Sequence, residues 1–428
     1  MTSSGPSPSP SRSPTPTPTP SSSPTPTPTP TAFPAVRAPG CPFDPPPLYA
    51  RLRQEAPVRV RIWDGSTPWL VTRHDDMRAV LGDPRFSADP SRPGFPSPSA
   101  GFKALGAAEV QAFVTRDDPE HARQRRMLTG HFTVRRTTAL APRIQEIIDG
   151  LLDRMADVGP PADLVEDFAL PMPSLVIGEL LGVPPADQPL FQRAARAMIA
   201  RDSGVAEFTA ARTELADYLT ELIAHKDRSP GDDLLSSLVV ERVRGGALDT
   251  ALLVEIAVSL LVAGHETTAN MTALGTLVLL GDPDRRALVR DGEDPALVVS
   301  AVEELLRYLT ITHSGLARVA TEDVEVGGRL VRAGEGVILA NASGNRDAAV
   351  FTDPDRFDPA RTEVRRHLAF GHGVHQCLGQ NLARTELQLA YPALLRRFPD
   401  LRLAVPADAV AFKDDMLIHG VHELPVTW

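Results

Sequence analysis

Cysteine is scarce in this sequence of 428 residues, which contains only Cys41 and Cys377. Two cysteines cannot form a disulfide framework, and they cannot supply a four-cysteine zinc site within one chain. A single bridge between such distant positions has little to support it, and a reducing cytoplasm fits this usage better. The surroundings of each cysteine must decide its role. Those of Cys41 match no pattern, so we take it to be incidental.

Lysine and net positive charge are scarce as well. The chain has three lysines against 41 arginines, and its formal net charge is −10. A negative charge argues against a general nucleic-acid binder, which would carry a basic surface, so we expect no nucleic-acid partner. The preference for arginine over lysine indicates the codon composition of a GC-rich bacterial genome.

Long apolar runs are missing, because no stretch of eighteen consecutive apolar residues occurs. We therefore expect no membrane association, and the N-terminus lacks the basic start and apolar centre of a signal peptide. Residues 1–34 consist mainly of Ser, Thr and Pro, which predicts a disordered tail. Residues 35–428 are expected to form a single domain.

The pattern of apolar residues is mainly helical between residues 142 and 280. Residues 251–280 are apolar nearly all round, which predicts a buried helix with a polar interruption at its centre. Two helices are expected within 191–226, and further helices at 296–309 and 378–398. Short strands are predicted at 58–63, 69–72, 324–326, 330–331 and 337–341, the first two as a hairpin. The fold class is mainly α with small segregated β-sheets.

Residues 370–379, with the sequence FGHGVHQCLG, place Cys377 between glycines and just before a predicted helix. The glycines allow the backbone to approach a flat ligand closely. The N–H groups and the positive dipole at the helix start favour a thiolate, which is the form that binds iron. The alternative is a buried cysteine in a glycine-rich turn, but the complete pattern is more specific than that.

Three further patterns contain residue types that carry chemistry. Glu266 and Thr267 follow the small residues Ala263 and Gly264 at the centre of the apolar helix, where room for a ligand is expected. His121 and Arg125 lie four residues apart on one predicted helix face, which suits a carboxylate or phosphate, or is a basic solvated face. The third pattern is a possible ion pair, on the surface if taken alone, between Glu304 and Arg307.

Taken together, these motifs resemble the cytochrome P450 family over residues 33–428, and 370–379 fill every fixed position of its haem signature. The resemblance implies the P450 fold, with haem b between the central buried helix and the loop that bears Cys377, the iron ligand. The residues expected to contact the haem are His121, Arg125, Ala263, Gly264, Arg318, Phe370, Gly371, His375, Cys377 and Gly379.

The resemblance also implies roles for single residues. Thr267 would hydrogen-bond dioxygen, and Glu266 would help to relay the protons that cleavage of the O–O bond requires. Of the haem contacts, His121, Arg125, Arg318 and His375 would bind the propionates. The ion pair of Glu304 and Arg307 would join Arg356 in a structural triad, and Arg123 and Arg126 are candidates for docking an electron-transfer protein.

The implied function is that of a soluble bacterial monooxygenase. It would hydroxylate, epoxidise or oxidatively couple a small apolar or aromatic molecule, in the biosynthesis of a secondary metabolite. Its electrons would come ultimately from NAD(P)H through a ferredoxin or flavodoxin and a separate reductase. A cytoplasmic monomer is expected, with a substrate pocket lined by residues 86–114, 191–224, the central helix and 309–316.

Two alternative functions remain open at this point. Residues 33–39, 63–66 and 168–181 also look like the nitric-oxide-reducing branch of the family, which takes electrons directly from a nicotinamide cofactor. That branch typically lacks an acid before the central threonine, whereas Glu266 is present here. The second alternative is a haem-binding protein without turnover, in which Glu266 and Thr267 would have no purpose.

Overall fold

The computed structural model describes residues 1–2, 4–5, 30–37, 43–106, 108, 110–291 and 294–428. These residues form a mainly helical fold with three small β-sheets, which confirms the predicted fold class. Cys41 and most of the predicted tail lie outside the described residues.

Helices account for most of the described secondary structure. They are α1 (Leu48–Leu52), α2 (His74–Gly82), α3 (Ala100–Leu105), α4 (Glu120–Thr129), α5 (Val134–Val158), α6 (Pro171–Leu181), α7 (Gln188–Ile199), α8 (Val205–Arg228), α9 (Leu234–Leu238), α10 (Thr250–Leu280), α11 (Pro283–Asp291), α12 (Pro295–Leu309), α13 (Asn341–Gly344) and α14 (Gln380–Arg397).

The strands are short and come from both ends of the chain. They are β1 (Thr31–Ala32), β2 (Val58–Arg61), β3 (Trp69–Val71), β4 (Phe86–Ser87), β5 (Ala162–Asp163), β6 (Leu316–Ala320), β7 (Val324–Val326), β8 (Arg329–Val331), β9 (Gly336–Leu339), β10 (Arg402–Leu403) and β11 (Pro425–Thr427).

Helix α10 is the centre of the molecule and packs against α6, α7, α8 and α14. Asp249 caps its N-terminus by accepting a hydrogen bond from the backbone N–H of Ala251, and the apolar residues that follow are buried on every side. Of the described helices, α10 alone is long and apolar enough to cross a membrane by length and composition. More than half of its most apolar stretch is buried inside this protein, as in a core helix.

The largest sheet joins the N-terminal strands to residues 316–339 in the order β1-β2-β3-β9-β6-β4. The predicted hairpin is confirmed, with Val58 opposite Leu70 in an antiparallel pair. Strand β1 pairs with β2, and Phe33 is buried. The predicted tail boundary at residue 34 therefore falls inside the fold.

The predicted helices are found with small shifts at their ends. The two expected within 191–226 are α7 and α8, separated by residues 200–204. Helix α5 begins at Val134 and includes Pro142, eight residues into the helix. The strand predicted at 337–341 ends earlier, because Asn341 begins α13 and donates its side-chain N–H to the carbonyl of Leu368.

The buried ion cluster around Glu304 corrects one prediction. Glu304 and Arg307 are fully buried, with Nε and Oε2 2.7 Å apart, but the third member is Arg361 and not Arg356. The side chain of Arg356 is exposed, and its backbone carbonyl accepts hydrogen bonds from both guanidinium groups. The loop thus turns the Arg356 carbonyl inward, and Arg361 reaches the carboxylate from further along the chain.

Candidate active site

The loop that bears Cys377 has a conformation that requires glycine at two positions. Gly371 and Gly373 have φ angles of 71° and 74°, in the left-handed region that other residues rarely adopt. A Cβ atom on Gly373 would also lie only 2.2 Å from the carbonyl oxygen of Leu81. The N–H of Cys377 donates to the carbonyl of Phe370 at 2.9 Å, so the loop closes on itself beside α14.

The Cys377 thiol lies deep within the protein and yet on an accessible inner surface. Its side chain is exposed, although protein atoms surround it closely. That burial raises the pKa of the thiol, while the N–H groups of Gly379 and Gln380 and the charges of Arg125 and Arg384 lower it. Helix α14 begins at Gln380, so the sulfur lies at a helix N-terminus, as predicted.

A buried ion network contacts the residues at the start of this loop, and the sequence patterns did not reveal it. Glu303 accepts hydrogen bonds from Arg384 at 2.5 Å and from His367 at 2.9 Å. Burial opposes ionisation of Glu303, but these two partners lower its pKa to about 2. The Arg384 guanidinium also lies over the Phe370 ring, 4.6 Å from its centre. The network therefore joins α12 and α14 to the cysteine loop.

Four cationic or hydrogen-bond-donating side chains gather near this loop. They are His121, Arg125, Arg318 and His375. The rings of His121 and His375 are 4.1 Å apart, and Arg125 donates to the carbonyl of Gln376 at 2.5 Å. Burial and the charges of Arg318, His121 and Arg125 lower the pKa of His375 to about 3.

Two members of this group, His121 and Arg318, have buried nitrogen atoms without a strong hydrogen-bond acceptor among the described residues. Nδ1 of His121 is 2.9 Å from Asp118, an orienting partner that the sequence patterns did not identify. Nε2 of His121 is buried and has no hydrogen-bond partner among the described residues. Burial lowers the pKa of Arg318 to about 10, and among the described residues its side chain donates to the adjacent carbonyl of Ala317 alone. The arrangement suits a bound anion.

Helix α10 presents one accessible face at its middle. From Ile256 to Leu279 all residues are buried except Ser259, Val262, Ala263, Gly264 and Thr267. Residues 259, 263 and 267 are spaced by four and therefore share a face. The Thr267 hydroxyl donates to the Ala263 carbonyl at 2.6 Å.

Gly264 has a packing reason to be small. A Cβ atom there would lie 3.2 Å from the side chain of Ile177 in α6. The missing side chain thus lets α6 approach α10, and room for a ligand comes from the Ala263 side of the helix.

Glu266 lies next to Thr267 but points into the protein, where its side chain is 2% exposed. Its Oε2 atom accepts from the amide of Asn270 at 3.3 Å and lies 3.6 Å from the ammonium nitrogen of Lys413. Lys413 comes from the C-terminal part of the chain, and no sequence pattern marked it.

A cavity of about 300 Å³ lies beside the largest sheet and residues 417–418 near the C-terminus. Of the predicted lining, Phe95, Phe102, Arg201, Thr312 and Ser314 are part of it. Phe113 packs in the core instead, and none of the residues that line this cavity comes from α10. Residues that the sequence did not indicate also line it. They are Phe33, Trp63, Leu417 and Ile418. A larger, more open groove of about 870 Å³ between α5, α12 and α14 contains none of the predicted site residues.

Comparison with known proteins gives consistent matches. The sequence profile of the family described as "Cytochrome P450" matches residues 183–406. Cytochrome P450-SU2 of Streptomyces griseolus is 54% identical over 396 residues, which are 92% of this chain and 96% of that protein. Pentalenic acid synthase of Streptomyces avermitilis is 52% identical over 398 residues, 93% and 97% of the two chains.

The solved structures agree with the sequence matches. The crystal structure of GfsF superposes with a TM-score of 0.86 at 51% identity, covering 93% of this chain and all of the other. This chain belongs to the cytochrome P450 family. It is a haem-dependent monooxygenase that uses haem b, with electrons supplied from NAD(P)H through partner proteins. Bacterial P450s of this kind bind small substrates and use ferredoxin and reductase partners.

The residues of this P450 fit a haem group by three features of the structure. The cysteine loop has a backbone that only glycine permits, and it presents an accessible thiol. The cationic group includes a buried and unpartnered Nε2 on His121, which suits a propionate. The accessible face of α10 has a small residue, Ala263, where a flat ring would need space. The iron, the propionates and the planar ring of the haem would each meet a matching part of the protein.

Proposed function

We propose that this P450 oxidises a small, mainly apolar molecule in bacterial secondary metabolism, with the Cys377 thiolate as the iron ligand. The single observation that carries the ligand assignment is the position of Cys377. Its sulfur receives two backbone N–H groups at the start of α14 and remains accessible within the protein. Phe370, Gly371 and Gly379 would shape the loop around the haem. His121, Arg125, Arg318 and His375 would hold the propionates.

The spectrum of the reduced carbon monoxide complex tests this assignment. Cys377→Ser should lose the thiolate-type absorption band, because a serine hydroxyl is a far weaker electron donor. Cys41→Ser is the matched control, and its spectrum should equal that of the unmodified protein. A thiolate-type band that persists in Cys377→Ser would remove the basis of the proposal.

We assign proton delivery to Thr267 and Glu266. When bound, the haem supplies the activation of dioxygen, and the protein must provide protons at that point. The Thr267 hydroxyl now donates to the Ala263 carbonyl, and rotation of its side chain would direct the same proton to the ligand. Glu266, one residue away and held by Asn270, would replace that proton.

The coupling of the enzyme, which is the product formed for each NAD(P)H consumed, tests this assignment. Thr267→Ala should form less product and more hydrogen peroxide for each NAD(P)H consumed, whereas Thr267→Ser should keep most of the coupling. Thr268→Ala is the matched control, since Thr268 is buried on the other side of α10. Unchanged peroxide release in Thr267→Ala would contradict the role of the hydroxyl.

The cavity supports a substrate that is mostly apolar with at least one oxygen acceptor. Its lining is dominated by apolar side chains, with Phe95, Phe102 and Leu417 among them. Arg201 and Thr312 are polar groups on the same surface, and Oγ1 of Thr312 has no partner among the described residues. An apolar body with a carbonyl, hydroxyl or carboxyl oxygen would satisfy both.

For the electron-transfer partner we propose a ferredoxin that docks beside α4. Arg123 and Arg126 are exposed on that helix, and Arg125 of the same helix contacts the cysteine loop. Arg123 is paired with Glu120, whereas Arg126 has no ion-pair partner among the described residues. We further propose a cytoplasmic monomer with a single domain that comprises the predicted residues 35–428 together with residues 31–34, and a shorter tail than the predicted 1–34 that catalysis does not require.

Two alternative functions have direct tests. Rapid NADH oxidation by the purified protein with nitric oxide, in the absence of partner proteins, would favour nitric oxide reduction. The acid that precedes Thr267 argues against that reaction. A protein that binds haem and shows a spin shift with ligands, but forms no product with an active reductase system, would be a binding protein.

A further inference from the structure

The pair of Lys413 and Glu266 is an unusual feature of the core. Both side chains are 2% exposed, and the ammonium nitrogen lies 3.6 Å from Oε2 of Glu266. Burial lowers the pKa of Lys413, and the charge of Glu266 raises it. A buried charge without a counterion is strongly unfavourable, so each side chain serves as the buried counterion of the other.

The segment that carries Lys413 also forms part of the cavity wall. Leu417 and Ile418 line the cavity, four and five residues after Lys413. The N–H of Lys413 donates to the carbonyl of Gly420 at 2.9 Å, which closes a loop of residues 413–420. We call this segment the C-terminal loop.

The C-terminal loop touches both partners of Glu266. Lys413 is part of it, and Gly420 packs so tightly on Asn270 that a Cβ atom would lie 1.7 Å from Oδ1 of Asn270. Backbone hydrogen bonds tie the loop to the ends of two cavity-lining segments, from Leu417 to Ile199 at 2.9 Å and from His419 to Ile311 at 2.8 Å. Displacement of the loop from the cavity side therefore reaches both groups that hold the carboxylate.

Other charged groups near the pair do not replace Lys413. Arg196 and Asp415 act on it at longer range and with opposite sign. His265 is adjacent in sequence, and burial lowers its pKa to about 4, so it is neutral at pH 7. Within the described part of the chain, Lys413 is the one cation in ion-pair contact with Glu266.

We propose that Lys413 is a positioning residue that couples occupancy of the cavity to proton delivery by Glu266. The inference rests on the proposed function of Glu266 and Thr267. With an empty cavity, Lys413 and Asn270 hold the carboxylate away from Thr267. An apolar ligand that presses on Leu417 and Ile418 shifts the C-terminal loop, weakens the pair, and frees Glu266 to turn toward Thr267. Glu266 then takes up a proton from solvent and passes it to the Thr267 hydroxyl as that hydroxyl gives up its own proton, after which Glu266 is again charged and returns to Lys413.

The coupling between the ion pair and the cavity is reciprocal, and this fixes the direction in which ligand affinity should change when the pair is removed. If binding of a ligand lowers the stability of the ion pair, part of the binding free energy is spent on that change. Removing the pair must then raise the affinity for the ligand by the corresponding factor. Lys413→Met should therefore bind the ligand about fivefold more tightly, although it forms less product for each NAD(P)H. Ordinary damage to the cavity wall would weaken binding instead.

The test uses the haem-loaded enzyme with a ferredoxin and reductase. The probe is the compound with the largest spin shift from a panel of apolar molecules that starts with 7-ethoxycoumarin. Spectral titration gives its dissociation constant, and product and peroxide are measured for each NAD(P)H. Lys413→Arg, which keeps the charge, should retain most of the coupling. Lys226→Met is the matched control, because Lys226 forms a buried ion pair with Asp233 at 2.7 Å, outside the cavity lining.

A second comparison separates positioning from loss of structure. Glu266→Gln removes the charge that Lys413 holds, so Lys413→Met in that background should cause no further loss of coupling. The proposal is overturned if Lys413→Met couples as well as the unmodified enzyme, if it binds the probe more weakly, or if its effect adds fully to that of Glu266→Gln. If the unmodified enzyme forms no product from any panel compound, the proposed function fails first, whereas the change in probe affinity still tests the coupling.

Discussion

Replacing Arg361 by methionine tests whether the ion cluster around Glu304 holds the loop of residues 345–361 in place. Nε of Arg361 lies 3.3 Å from both oxygens of Glu304. Its guanidinium also donates to the carbonyls of Thr352, Asp353 and Arg356. Arg361→Met leaves Arg307 as the one ion-pair partner of Glu304 among the described residues, and it removes one donor from each of the three carbonyls.

Removing one partner of a buried ion cluster costs about 3–5 kcal/mol of unfolding free energy. For a chain of this length the entropy of unfolding converts that cost into a fall of about 3–6 °C in Tm. Arg361→Lys should lie between, since an ammonium group cannot bridge both carboxylate oxygens and the carbonyls together. Arg356→Met should change stability by less than about 0.5 kcal/mol, because only the backbone of Arg356 takes part.

Thermal unfolding followed by circular dichroism and by the haem absorption band measures both effects on the same samples. The haem band should be lost earlier in Arg361→Met, since the loop leads directly into the cysteine segment. Equal losses in Arg356→Met and Arg361→Met would refute the assignment of the third member. So would an Arg361→Met protein as stable as the parent.

Three further predictions concern pH, haem affinity and electron transfer. Burial lowers the pKa of His265 from 6.5 to about 4, so below pH 6.5 the unfolded chain takes up a proton that the folded protein does not. His265 should therefore lower the free energy of unfolding by about 2 kcal/mol between pH 8 and pH 5. Urea unfolding at the two pH values should show a smaller fall in His265→Leu than in the parent. An equal fall in both proteins would contradict the role of His265. Arg318→Leu should bind haem about 10–100-fold more weakly, because a charge-assisted hydrogen bond is lost. Haem transfer to apomyoglobin measures this, and Arg329→Leu is the control because Arg329 is exposed. Equal transfer rates in the two variants would exclude a propionate contact of Arg318. Arg126→Glu should raise the KM for ferredoxin at low salt, and the difference should shrink at high salt; if Arg228→Glu has the same effect, docking is not confined to α4.

Much of the helical framework could be predicted from residue periodicity. Helix α10 is apolar nearly all round over about eight turns, and most of its residues are buried. The cysteine loop was also predictable, because Gly371 and Gly373 are needed for positive φ and close approach. These features are local, so a short stretch of sequence contains all the information.

The parts that could not be predicted depend on contacts between distant residues. Lys413 meets Glu266 across 147 positions, and nothing near either residue marks the other. Arg356 and Arg361 are equally basic in sequence, and only the path of the loop decides which guanidinium enters the core. Leu417 and Ile418 reach the cavity because the N–H of Leu417 donates to the carbonyl of Ile199 at the end of α7, and the N–H of His419 donates to the carbonyl of Ile311 shortly after α12.

The mixed sheet has a consequence for the synthesis of the protein on the ribosome. Strand β3 pairs in parallel with β9, and about 260 residues separate Val71 from Gly336. At 5–20 residues per second, the N-terminal hairpin waits on the order of tens of seconds for its neighbour. The proposed haem contacts also come from both early and late parts of the chain, because His121 is synthesised early and Cys377 near the end. Cofactor supplied late in synthesis, and slower translation at low temperature, should therefore raise the yield of haem-loaded protein.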